Sequence, residues 1–329
     1  MHIFHNTNYD FHRWRWPAIG LSWVIILAGL VSIAVRGIPL GVEFAGGTSV
    51  IVQFEQDTSI EAVRTALNSR FTGGNVIVQA YGEPGSREVM VRVPEVGQES
   101  GAELSTTADA AVEALRQGGV GAFTVVGTEI VGPAVGEELT SKGMSAMVLS
   151  LVGILAYIAF RFQFSFAVGA VVATLHDLLV VAAFLSFFQV DLTLNVIAAI
   201  LTVAGYSTND TIVIFDRVRE NLRSMRRDAL PTVVNTAINQ TLGRTVITSG
   251  TTLLSALALY IFGGDVLSGF AFTLLVGVVT GTYSSVFVAA TVVTLWRDRG
   301  RSRAMAQAAT ATAPEPARRA KAARKARAS

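Results

Sequence analysis

Three ionisable residues stand where charge is expensive: Asp177, Asp210 and Arg244. Each lies in or against an apolar run long enough to cross a bilayer, and a charge in hydrocarbon costs roughly 2.5–3.5 kcal/mol on insertion scales. Asp210 belongs to the polar run Gly205-Tyr206-Ser207-Thr208-Asn209-Asp210-Thr211, six residues before Asp216, the next charge. At about 1.5 Å per helical residue that is on the order of 9 Å inside the span. Asp177 follows His176 near the middle of another apolar run. Arg244 heads the segment Gly243-Arg244-Thr245-Val246-Ile247-Thr248-Ser249-Gly250.

The chemistry open to such a set is proton transfer. Burial strips hydration from the charged form of a carboxylate and so favours its protonation, while a neighbouring arginine opposes this. A carboxylate that alternately meets and leaves Arg244 would bind and release a proton as helices shift. Ser207, Thr208, Asn209, Thr248 and Ser249 form a polar shell able to hold the water that transfer requires. Plainer readings stand beside this one. Arg244 could snorkel to the interface, His176-Asp177 could be a hydrogen-bonded structural pair, and Asp210 could be purely structural. Gly205, Gly250, Gly277 and Gly281 read as sites of close helix packing.

Soluble-enzyme chemistry has no footing here, and no catalytic residue is assigned. The chain contains no cysteine, so disulfides, thiolate metal sites and thiol nucleophiles are out. It has no G-x-x-x-x-G-K-[ST] loop, so no ATP site is expected, nor any other cofactor. His2, His5 and His12 lie in a solvated N-terminal stretch, where adventitious metal binding is the most they suggest.

The elements that must position these residues are membrane spans. The chain is 51% hydrophobic but only 15% charged, against about 25% charged in soluble domains. Six stretches are apolar over the roughly 20 residues a span needs: 17–35, 144–160, 165–188, 192–214, 246–262 and 268–295. The first follows His12-Arg13-Trp14-Arg15-Trp16 and lacks a cleavage site, so it reads as a retained anchor. Arg13 and Arg15, Arg161, the Arg217–Arg227 cluster and Arg297–Arg303 all fall on one side if the N-terminus is cytoplasmic. Residues 37–142 carry 6 Lys/Arg against 14 Asp/Glu and fall on the other, periplasmic, side. Arg36 dissents. Residues 299–329 read as a basic, disordered cytoplasmic tail, with contact to anionic lipid or ribosomal RNA as its sharper alternative. The basic pI comes mostly from that tail and is no argument for nucleic-acid binding.

Within 37–142 the pattern predicts β-α-β-β-α-β: strands at 48–54, 75–80, 88–93 and 123–131, helices after Thr58 and over 107–117. Thr58 and Glu61 fit a capping box. In the third strand Val89, Val91 and Val93 alternate with Met90 and Arg92, giving one buried face. The order is the ferredoxin-like arrangement, suited to docking a partner or a passing chain.

Four segments carry a resemblance. Gly41-Val42-Glu43-Phe44-Ala45-Gly46-Gly47-Thr48 is similar to G-[ILV]-D-F-x-G-G-T, with glutamate in place of aspartate at Glu43. Val131-Gly132-Pro133-Ala134-Val135-Gly136-Glu137-Glu138-Leu139 is similar to V-G-P-x-V-G-x-E-L. Residues 205–221 and the Arg244–Leu253 segment follow G-Y-S-x-N-D-T-x-V-x-F-D-R-[IV]-R-E-N and R-T-x-x-T-S-x-T-T-L. Over residues 10–298 the chain thus resembles the SecF family, the smaller membrane subunit of the SecD–SecF export complex. The resemblance implies an RND-type fold of six transmembrane helices with a ferredoxin-like periplasmic domain, in the inner membrane of a bacterium. It implies use of the proton motive force to help draw preproteins from the SecYEG translocon, with SecD as partner and YajC and YidC as further candidates. It places Asp210 and Arg244 at proton-transport positions and Glu43, Phe44, Gly46 and Gly47 in a family turn; Asp177 is added on its own position in a span. The competing expectations are a non-motor scaffold for the translocon and an independent RND-type exporter.

Overall fold

The computed structural model describes residues 7–71, 76–82, 85–93 and 101–297. In chain order these form α1 (Phe11–Arg36), the single turn α2 (Val42–Ala45), β1 (Gly47–Phe54), α3 (Ile60–Asn68), β2 (Ile77–Tyr81), β3 (Glu88–Val93), α4 (Gly101–Gln117) and β4 (Phe123–Val131). Then follow α5 (Pro133–Arg161), α6 (Phe164–Phe188), α7 (Leu194–Ser224), α8 (Leu230–Phe262) and α9 (Asp265–Ser284). A π-helical turn, Ser285–Ala289, interrupts the last helix before it runs on to Arg297. Six of these helices, α1 and α5 to α9, are long and apolar enough to span a membrane.

Several helices outrun the apolar stretches that announce them. Helix α8 has 33 residues, about 50 Å at 1.5 Å per residue, where only 246–262 reads as a span. Its polar first half is explained by what it holds. Asn239 Oδ1 accepts from the Tyr9 amide at 2.8 Å, Asn235 Oδ1 accepts from Phe11 N at 2.9 Å, and both amide groups donate to the Tyr9 carbonyl. Gln240 is tied to Arg217 and Asn221 of α7. His12 lies beside Arg15, whose guanidinium is 3.2 Å from its Nδ1; His2, His5 and the basic tail fall outside the described residues.

The bundle is unevenly buried. Helices α6, α7 and α9 are enclosed over half or more of their apolar length, while α1, α5 and α8 show most of theirs to the outside. Small residues let the central helices approach. A methyl group on Gly277 would overlap Val203 of α7, and one on Gly281 would press on Ser207, as close membrane packing requires, whereas Gly205 and Gly250 face open space and are not packing sites.

The extramembrane domain is a four-stranded antiparallel sheet in the order β2-β3-β1-β4, with α3 and α4 on one face. The ferredoxin-like reading holds. Val63 and Leu67 of α3 and Leu115 of α4 are fully enclosed against Val50, Val52 and Val91.

Two local expectations fail. The Thr58–Glu61 capping box does not form: Ser59 stands at the N-cap of α3 without a side-chain cap bond. Thr58 Oγ1 is spent on the Val120 carbonyl at 3.2 Å, tying the start of α3 to the approach to β4, and Glu61 pairs with Arg64. Nor does β3 have a wet face. Met90 and Arg92 are as enclosed as the valines between them, because that side of the sheet rests on the outer end of the bundle. There Gly41 N donates to the Leu192 carbonyl and Leu192 N to that of Pro39, both at 2.8 Å, joining the exit of α1 to the α6–α7 loop.

Candidate functional site

The sequence-selected residues resolve into three polar clusters. In the first, Asp177 of α6 is wholly enclosed and both its oxygens are engaged. Oδ1 lies 2.9 Å from His176 Nδ1; Oδ2 accepts from Ser207 of α7 and from Ser284 of α9 at 2.8 Å. One carboxylate thus ties three helices together. His176 Nε2 is buried without a partner, and its ring lies against Tyr283, centroids 6.4 Å apart.

Asp210 centres the second cluster. It is 6% exposed, and its Oδ1 accepts from Thr245 of α8 at 2.6 Å, while Oδ2 is buried with no hydrogen-bond partner. Beside it Thr211 shares a 2.8 Å hydrogen bond with Ser285, whose hydroxyl also lies 3.5 Å from the Ser207 carbonyl. Ser284 and Ser285 straddle the start of the π-helical turn. A π-turn widens the local backbone and is frequent at functional sites; here it sends one hydroxyl toward Asp177 and the next toward Asp210's neighbours. The two clusters therefore meet at Ser207 and Ser285.

Ser249 belongs to a third, separate group, bonded to Tyr206 at 3.2 Å and Thr282 at 2.7 Å. Thr208 is buried beside Thr174, 3.4 Å away. Asn209, Arg244 and Thr248 face outward. Thr248 returns its hydroxyl to the Arg244 carbonyl, whereas no hydrogen bond or ion pair of the Arg244 or Asn209 side chain is found among the described residues. Arg244 does not pair with Asp210. It precedes Thr245 by one position and so points about 100° away around α8.

Thr245, Thr211, Ser284 and Ser285 were missed as site residues. The last two had a signal: Thr282-Tyr283-Ser284-Ser285 is a polar break in an otherwise apolar span.

The motif around Glu43 forms a compact corner. After the single turn α2, Gly46 and Gly47 take φ of +67° and +105°, values natural only to glycine, and swing the chain into β1. Phe44 lies over Gly143 of α5, and Gly136 lies against Gly46. Glu43 Oε2 is buried without a partner. Beneath the sheet, Arg92 donates to the Leu40 carbonyl at 2.6 Å and pairs with Asp191 of the α6–α7 loop at 2.9 Å. Glu129 of β4 shares this corner. Its carboxyl is held above the usual 4.5, first by burial and then by the charge of Glu43, with Arg92 acting against both.

Residues 111–299 match the family model of the protein export membrane proteins SecD/SecF, C-terminal, and residues 31–58 match the SecD/SecF GG motif. The chain belongs to the SecD/SecF family. The protein translocase subunit SecF of Desulfurispirillum indicum is 42% identical over 292 residues, 88% of this chain and 92% of that one. That of Escherichia coli O157:H7 is 38% identical, with 86% of each chain covered. Among solved structures, SecDF from Thermus thermophilus, described as a translocon-associated membrane protein, superposes with a TM-score of 0.78 at 34% identity. The match covers 89% of this chain but only 39% of that one. The fold is thus that of an RND-type polytopic membrane protein, six helices with a ferredoxin-like domain inserted after the first.

Proposed function

We propose that this chain is a proton-coupled accessory subunit of bacterial protein export, working with SecD to draw preproteins from the SecYEG translocon at the expense of the proton motive force. The sheet then faces the periplasm, both termini lie in the cytoplasm, and the chain performs no covalent chemistry of its own. The observation that carries the reading is Asp210: a carboxylate enclosed at membrane depth, bonded through one oxygen, its other oxygen unpartnered. A buried polar atom without a partner is costly, and binding a proton there removes the charge that makes it so.

On this reading the same carboxylate has a second position. Thr245 and Arg244 are neighbours on α8, so a turn of that helix by about 100° exchanges a hydroxyl for a guanidinium at Asp210. The neutral acid suits the first arrangement and the anion the second. Arg244 and Asn209 face outward, where lipid tails offer no hydrogen bonds, so this face of α7 and α8 calls for a protein neighbour. SecDF, in which this chain corresponds to about two fifths, has a second portion to fill that place. Support from YajC or YidC would be peripheral to this step.

The test is gradient-dependent export in vesicles carrying SecD with this chain, wild type against Asp210→Asn at matched expression. Loss of the gradient-dependent part with assembly intact is the expected result. Unchanged export would take Asp210 out of the mechanism and favour a scaffold.

A further inference from the structure

Arg92 stands where the extramembrane sheet meets the bundle, 5% exposed, at one wall of a cavity of about 530 Å³ that also reaches Tyr81, Gln189, Tyr260 and Phe272. Every element around it presents a polar or charged group. Asp191, from the α6–α7 loop, takes its NH2 and also accepts from Gln79 of β2 at 3.3 Å. Glu129 comes from β4, Glu43 from α2, and the buried Ser49 hydroxyl from β1. One cation thus lines the same cavity as three carboxylates, paired with Asp191 and acting through space on Glu129. The guanidinium is incompletely used: its Nε has no partner, and Asp191 Oδ1 and Glu43 Oε2 have none either. Among the described residues these carboxylates do not converge as a metal-binding group, so a resident cation does not explain them.

We propose that Arg92 is a positioning residue that tethers the sheet to the α6–α7 loop and can transfer from Asp191 to Glu129 and Glu43, releasing the domain from the bundle. The place it grips matters. The loop it holds joins α6, which carries Asp177, to α7, which carries Asp210, so a displacement of either helix reaches the sheet through this contact. Transfer keeps the guanidinium paired, and release of the sheet opens the vacated Asp191 to water. Protonation sets the balance: a neutral Glu129 leaves Arg92 to Asp191, and an ionised one competes for it. The inference does not depend on which ion, if any, Asp210 binds, and its test requires no export.

The chain has no cysteine, so introduced pairs label only where they are placed. Asp109→Cys on α4 and Ser224→Cys at the far end of α7, both exposed, would be spin-labelled in the full chain in lipid nanodiscs. Distances would be read by pulsed electron resonance between about pH 5 and pH 9, the range above the ordinary carboxylate value. The expected result is two distances whose ratio shifts toward the released form as pH rises, by up to about tenfold per pH unit for a single proton. Glu129→Gln should hold the docked distance throughout, and Asp191→Asn should show the released one even at low pH. The exchange Arg92→Asp with Asp191→Arg should restore docking. A distance unaffected by pH, by Glu129→Gln and by Asp191→Asn would overturn the proposal, and so would a shift in Glu129→Gln equal to that of wild type.

Discussion

A methyl group added at Gly277 tests whether the spacing of α7 and α9 holds the buried site together. The added carbon would sit 2.2 Å from Val203 Cγ2 and 2.6 Å from Cγ1, against an optimum of about 3.5–4.0 Å. Valine has one favoured rotamer in a helix and cannot turn aside cheaply. The helices must therefore part by about 1 Å, and overpacking of this kind costs about 1–3 kcal/mol. Ser207 of α7 and Ser284 of α9 donate to the same Asp177 oxygen, so the same separation stretches one bond or the other toward the usual limit of about 3.0 Å for hydroxyl donors. A typical hydrogen bond is worth about 0.5–1.5 kcal/mol, so Gly277→Ala should lose about 1.5–4.5 kcal/mol in all. Val203→Ala alone leaves space worth about 1–2 kcal/mol. Combined, the two should cost less than their sum by about 1–2 kcal/mol, since the shortened side chain admits the methyl. Reversible unfolding in mixed detergent micelles, followed by circular dichroism, measures all three. A Gly277→Ala protein as stable as wild type, or strict additivity in the double variant, would refute the packing argument.

Two further outcomes follow from the site and the sheet. Thr245→Val removes the 2.6 Å hydrogen bond to Asp210 without changing shape, a loss of about 0.5–1.5 kcal/mol, and should cut gradient-dependent export by up to about tenfold; Thr245→Ser should retain most of it. Glu129 binds its proton more tightly in the folded chain than in the unfolded one, so its contribution to stability is complete below about pH 4.5 and is lost as pH rises through the elevated value. Glu129→Gln should therefore flatten the decline in domain stability above pH 4.5, which denaturant titration at a series of pH values will show.

What could be read from the chain divides along physical lines. Membrane spans announce themselves because a bilayer imposes length and apolarity on consecutive residues, and the four strands because alternation and turn residues are local. The roles of Asp177 and Asp210 were harder to separate. Both are buried acids in apolar runs, and only packing shows that one is saturated by His176, Ser207 and Ser284 while the other keeps an oxygen free. The π-turn that aims Ser284 and Ser285 depends on contacts among α6, α7 and α9 and has no short-range signature beyond the polar run. The second face of β3 misled for a related reason. Alternation marks Met90 and Arg92 as outward, yet outward here means toward the bundle. In α8, a polar first half looks like a loop because the residues that satisfy Asn235 and Asn239 lie more than 220 positions away.

That last separation bears on how the protein is made. Tyr9 is synthesised long before its partners, which lie in the fifth span, and Tyr283 of the sixth donates to the Ala18 carbonyl across a comparable stretch of chain. At about 5–20 residues per second, synthesis of the intervening chain takes roughly 10–50 s. For that interval the first span has only its packing on α6, where Gly29 meets Ala183 and Ser32 bonds Ser186. Docking on α8 and α9 comes only afterwards, so a chain truncated before α8 would leave the segment around Tyr9 undocked and open to proteolysis.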